Sequence, residues 1–131
     1  MLGIVFRKAD MLTQQQAGVD LTPESDFLQV RSIKAFAGKV FKAHKHPPQM
    51  RVTNLTQESL IIIQGTIEAC IYDLDDRPLA KRVLAEGDCI IMLRGGHAFK
   101  ILEENTIFYE FKNGPYNGPE KCKVMIEEAN A

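Results

Sequence analysis

The chain has no tryptophan, and only three cysteines and three histidines among its 131 residues. The cysteines, Cys70, Cys89 and Cys122, are odd in number and form no C-x-x-C pair, which argues against a disulfide framework or a cysteine-rich zinc module. A reducing, cytoplasmic setting fits that usage best. No apolar run approaches the ~20 residues needed to span a bilayer, and the opening MLGIVFRKADMLTQQQ meets acidic and amide side chains too early for a signal peptide. An excess of one charge is also missing: 16 basic side chains face 17 acidic ones, so there is no electrostatic footprint for nucleic acid. Internal repeats, linkers and low-complexity tracts are absent too. The expectation is one soluble domain over residues 1–131, with neither nucleic acid nor membrane as partner.

What is present reads as mostly β. Gly and Pro punctuate the chain at short intervals, and the segments between them favour β-branched and aromatic residues over helical stripes. Strands are expected at Phe27–Phe36, Lys39–His46, Ser59–Ile63, Thr66–Leu74, Lys81–Leu84, Asp88–Leu93, His97–Leu102 and Thr106–Lys112, with a short one at Lys121–Ile126. Turns are expected at Gln64-Gly65 and Asp75-Asp76, and a helical turn near Thr22, where Thr-Pro-Glu sets a capping hydroxyl before a proline. That density of short strands suits a sandwich or barrel. Leu60–Ile63 is apolar at every position and so calls for burial on both faces. A homodimer partner is the preferred second layer, with the chain's own N-terminal arm as the other.

All three histidines fall where chemistry is expected. His44 and His46 are two apart in Val40–His46, and alternation along a strand would send both imidazoles to one face, near enough to share a first-row divalent metal. Two solvated histidines on a surface strand are the plainer reading of the same pattern. Glu58 begins the face that continues through Leu60 and Ile62, and His97 the face that continues through Phe99 and Ile101. Such groups at the edge of an apolar interior are normally paired or metal-bound.

The order Gly38, His44, His46, then Glu58 and Gly65, followed by Gly87-Asp88 and the Arg94-Gly95-Gly96-His97 turn, resembles the two cupin motifs. The stretch Pro47–Gln57 is longer than the usual gap in the first motif, Leu93 replaces the second motif's proline, and Ile101 stands at its final asparagine. Over about residues 27–112 the chain is similar to a small single-domain bacterial cupin, with 113–131 as an extension packing on the barrel. The resemblance implies a double-stranded β-helix, or jelly roll. It further implies a ligand set of His44, His46, Glu58 and His97 for a divalent transition metal: Fe, Mn, Ni or Zn. A small polar metabolite, a sugar derivative or organic acid, would occupy the cavity.

The reaction stays open among three readings: a metal-dependent oxygenase or isomerase, a metal-free isomerase or epimerase with histidine as base, and a non-enzymatic binding or sensing protein. Two further residues are candidates for catalysis. Arg51, in the long loop, has the geometry to grip an anion, although a solvated arginine is the commoner case. Glu110 would be a second carboxylate in the cavity if the Phe108 face of its strand points inward, or an ordinary surface partner of Lys112 if it does not.

Overall fold

The computed structural model describes residues 1–127. Along them run β1 (Gly3–Phe6), α1 (Lys8–Thr13), β2 (Gly18–Asp20), β3 (Arg31–Ile33), β4 (Glu58–Gln64), β5 (Thr66–Tyr72), β6 (Pro78–Ala85), β7 (Cys89–Met92), β8 (Gly96–Ile101), β9 (Ile107–Lys112) and α2 (Pro119–Cys122). All strand pairings are antiparallel. One sheet has the order β1-β7-β4-β9, a second β6-β5-β8, and β2 and β3 form a separate ribbon. The protein is therefore all-β in architecture, and no helix among the described residues is long and apolar enough to cross a membrane.

Period-2 alternation creates the core. Leu60 and Ile62 of β4 and Ile90 and Met92 of β7 point to the same side of the larger sheet, where they meet Ile67 and Ala69 of β5 and Leu84 of β6. Phe99 and Phe108 close this layer as partly buried members. Ile67 is fully buried, so Ile67→Val, which removes one methylene, is expected to cost about 1 kcal/mol in urea unfolding.

The other face of the larger sheet is covered by the chain itself. Cys89, Ile91 and Leu93, with Ile61 and the β1 side chains Ile4 and Phe6 beside them in the sheet, pack under Leu21, Leu28 and Val30. The second layer over β4 is thus the N-terminal segment, the alternative to a partner subunit. The cover stops short of Ile63, which is 43% exposed and not buried as its run of neighbours suggested. The same segment contributes β1 to the sheet, through the register Gly3↔Met92 to Phe6↔Cys89.

Asp88 clamps α1 to the turn between β6 and β7. Its carboxylate accepts the Lys8 N–H at 3.0 Å, the Ala85 N–H at 3.0 Å and the Arg7 guanidinium at 2.9 Å. Burial alone would raise the Asp88 carboxyl, but these three donors together outweigh it and hold it below the ordinary carboxylate range. A folded value below the unfolded one contributes stability above the unfolded pKa of ~3.9 and loses it as pH falls through the folded value. Melting temperatures taken below about pH 5 are therefore expected to fall less steeply with pH in Asp88→Asn than in the wild type. An unchanged slope would show that Asp88 carries none of the acid sensitivity.

Four expected elements differ in the structure. Phe27–Phe36 is strand only at Arg31–Ile33, because Leu28 and Val30 turn down onto the sheet instead. Thr22 starts no helix: its hydroxyl accepts the Val30 N–H at 3.1 Å, which closes a turn, and the helix lies earlier, at Lys8–Thr13. Lys121–Ile126 is not a strand either; Pro119 opens the single helical turn of α2. The largest difference is at Lys39–His46. The whole stretch from residue 34 to 57 lacks regular structure, and residues 35–56 are exposed. Alternation is present there, but a strand needs a neighbour to satisfy its backbone, and no described segment pairs with it.

Candidate functional site

Glu58 opens β4 on its inner face, in register with Met92 on one side and Lys112 on the other. Gly95 makes the turn into β8, with φ +77°; a side chain there would run into the Tyr72 carbonyl. The tight turn delivers His97 to the inner face of β8, opposite Ile71 of β5. Glu58 and His97, 39 positions apart, meet across the mouth of the sandwich, with Glu58 Oε2 2.9 Å from His97 Nε2. The Glu58 side chain is 12% exposed and that of His97 31%.

The hydrogen bond from His97 holds the Glu58 carboxyl below its usual range despite partial burial, helped by attraction to His97, Lys112 and Lys123. Lys112 Nζ lies 3.8 Å from Glu58 Oε1 and 3.2 Å from Glu110 Oε1, and the Glu110 contact is the main cause of its raised pKa. Phe108 packs inward, so Glu110 faces the cavity as well as pairing with Lys112.

These groups sit in a cleft of about 750 Å³, lined by Glu58, Tyr72, His97, Phe99, Glu110 and the C-terminal residues 122–126. Phe99 stacks against His97, ring centroids 5.2 Å apart, and gives the cleft an apolar wall beside its polar pair. The volume is that of an ordinary small-molecule site. With Nε2–H donated to Glu58, a neutral His97 carries its lone pair on Nδ1, so the arrangement supplies an oriented base.

His44 and His46 do not join this pair. They lie on the exposed 34–57 arm, side by side, with ring centroids 5.2 Å apart and His44 Nδ1 2.8 Å from the Lys42 carbonyl oxygen. The strand expected to aim them inward is absent. Among the described residues no group of three or more His, Cys, Asp or Glu side chains is placed to hold a metal ion. Of the expected ligand set only Glu58 and His97 meet at the cleft, half of the four, and the described residues of a single chain do not offer a transition metal the three or more protein ligands it usually takes. Arg51 also lies on the arm, exposed and outside the cleft lining.

Sequence reasoning missed the polar anchor behind Glu58. Gln57 is 2% exposed. Its Oε1 accepts the Leu28 N–H at 2.8 Å, its Nε2 donates to Asp26 Oδ1 at 2.7 Å, and its backbone N–H donates to Asn113 Oδ1 at 2.7 Å. Arg94 reaches Asp26 at 3.5 Å. The network ties the N-terminal segment, the start of β4, the turn before β8 and the end of β9 together beneath the site. A polar residue between loop and strand was its only trace in the sequence. Cys70 and Cys89 are buried free thiols, as expected of small apolar residues, and burial pushes the Cys89 thiol up against a smaller opposing effect of its Ser59 contact.

No family model, curated protein or solved structure matches this chain.

Proposed function

We propose that the cleft binds a small polar metabolite, a sugar derivative or organic acid, and that His97, oriented by Glu58, exchanges a proton with it. The observation that carries this reading is the 2.9 Å Glu58–His97 contact inside the cleft. A carboxylate that fixes the imidazole's tautomer, beside an apolar ring, is an arrangement suited to general base catalysis. Two carboxylates and two lysines surround the base, so local charge is nearly balanced. That favours a hydroxyl-rich or singly charged ligand over a polyanion.

Ring-resonance titration of His97 by NMR, against glucose, glucuronate, lactate and pyruvate, with citrate as the polyanion control, tests the reading. Saturable shifts at His97 and Phe99 that vanish in His97→Ala support it. Shifts confined to surface lysines would sink it.

A second reading is that Glu58 and His97 are half of a metal centre in a jelly-roll barrel. It is favoured by their being two of the four ligands that the cupin resemblance implies. A divalent metal there would supply Lewis acidity toward substrate oxygens. Metal analysis of protein purified without a histidine tag tests it, stoichiometric Zn, Fe, Mn or Ni being the supporting result and metal-free protein the opposing one.

A further inference from the structure

The arm between β3 and β4 and the outer edge of β8 are complementary, and among the described residues neither has a ladder partner there. The arm carries Phe36, Val40, Phe41, Met50 and Val52, which are 62–93% exposed. So much apolar surface on an unpaired segment is unusual unless something covers it. Among the described residues β8 pairs only with β5, and its second residue is His97, half of the Glu58–His97 pair. We propose that residues 39–46 of one copy add as an antiparallel strand to the β8 edge of a second copy. The exchange is reciprocal and sets two imidazoles beside each Glu58–His97 pair. For those imidazoles as ligands, the proposal rests on the metal reading above.

The register follows from the side chains. Antiparallel neighbours directly opposite share a face. Pairing His44 with His97 puts Lys42 opposite Phe99 and Val40 opposite Ile101, all on the inner face. Ile101 is 50% exposed in the single chain, and Val40 would cover it. On the outer face Ala43 meets Ala98, and Phe41 meets Lys100, an apolar ring beside an ammonium stem. A two-residue slip one way sets Lys42 against Ile101 and Lys45 against Ala98, losing both apolar contacts, and a slip the other way sets Lys42 against His97 and carries both imidazoles past the end of β8. Pro47-Pro48 ends the added strand just past its ligands, where no further ladder donor is needed.

Reciprocal exchange is closed by a two-fold axis, so it yields a dimer and not an open chain. It also accounts for the long Pro47–Gln57 connection: Gln57 is held in its buried network, and these residues must carry the chain from the partner's β8 back to its own β4. The β8 edge is the one chosen because it alone of the sheet edges carries a histidine of the cleft.

Disulfide trapping tests the exchange without reference to metal. In a Cys70→Ala, Cys122→Ser background, which removes the native thiol in register with Ala98, Ala43→Cys with Ala98→Cys is oxidised and run on a non-reducing gel. The expected product is a covalent dimer, also formed when the two single-cysteine chains are mixed after unfolding and refolding together. A covalent monomer, meaning that the arm folds onto its own β8, or no cross-link, overturns the proposal. Light scattering on the unmodified protein provides a check that no cysteine variant can spoil: twice the 14.7 kDa chain mass is expected, and a monomer overturns it.

The ligand role is read by complementation with Zn(II) as probe. Glu58→Ala/His97→Ala and His44→Ala/His46→Ala chains, each left with two ligands per site, differently tagged and co-expressed, are expected to bind about one Zn(II) per mixed dimer, while neither binds any alone. A covalent dimer from a wild type that binds no metal would keep the exchange and reject the metal centre. A metal-binding wild type with a covalent monomer would do the reverse.

Discussion

Gln57→Ala is expected to lower the unfolding free energy by about 3 kcal/mol, more than any single methylene removed from the core. The truncation leaves the Leu28 N–H without its acceptor and Asp26 Oδ1 without its 2.7 Å donor, both in buried surroundings, and an unmatched buried group costs about 1–3 kcal/mol. Arg94, 3.5 Å away and 42% exposed, compensates poorly. Gln57→Leu refills most of the volume yet keeps both orphans, so it is expected to rescue less than half of the loss. Gln57→Glu brings a carboxylate against Asp26 and is expected to be worse still near neutral pH. Urea unfolding of the three variants ranks them. A loss below about 1 kcal/mol in Gln57→Ala would mean that water replaces the side chain and that the network is not what fixes the start of β4.

Why the strands from β4 onward were legible and the arm was not comes down to where the deciding partner lies. Glu58–Gln64 lies between β7 and β9, and Thr66–Tyr72 between β6 and β8, so each strand's hydrogen bonds are satisfied along both of its edges. The alternation seen in the sequence is then enough. Lys39–His46 alternates equally well, but it has no ladder partner among the described residues, and alternation says nothing about that. β1 escaped notice for the opposite reason. Gly3–Phe6 lies in the larger sheet with side chains packed on both of its faces, Val5 in one cluster and Ile4 and Phe6 in the other, so no polar alternation marks it.

The site divides along the same line. Glu58 and His97 were visible because each begins an apolar face beside a turn, and the structure joins them. Gln57 and Asp26 were not, because a polar pair 31 residues apart has no periodicity to betray it. Glu110 was left between two readings since its strand's inward face depended on Phe108, and packing decides that.

The second large effect concerns the pair itself. Once the titration panel identifies a metabolite that the cleft turns over, His97→Ala is expected to lower kcat by about 10²–10⁴-fold, the usual share of a positioned base. Glu58→Gln separates orientation from charge. A glutamine Oε1 can still accept from His97 Nε2–H, so the ring keeps its tautomer, but the negative charge that favours the imidazolium formed during proton abstraction is gone. Its expected loss is smaller, about 10–10²-fold, with KM little changed, since binding in the ground state does not need that charge. The reciprocal effect is on Glu58: with the His97 hydrogen bond removed, its carboxyl loses the largest influence holding it down and its pKa rises, which carboxyl resonances report directly. Because the folded carboxyl lies below its unfolded value, the pair contributes stability that is lost as pH falls through that folded value, and His97→Ala should remove this part of the acid transition. Equal kcat losses in both variants, with Glu58 titrating unchanged, would mean that the 2.9 Å contact is only packing at the cleft wall and that the base lies elsewhere. Glu110 is then the group to replace, since it faces the same cavity and its hold on Lys112 survives either substitution.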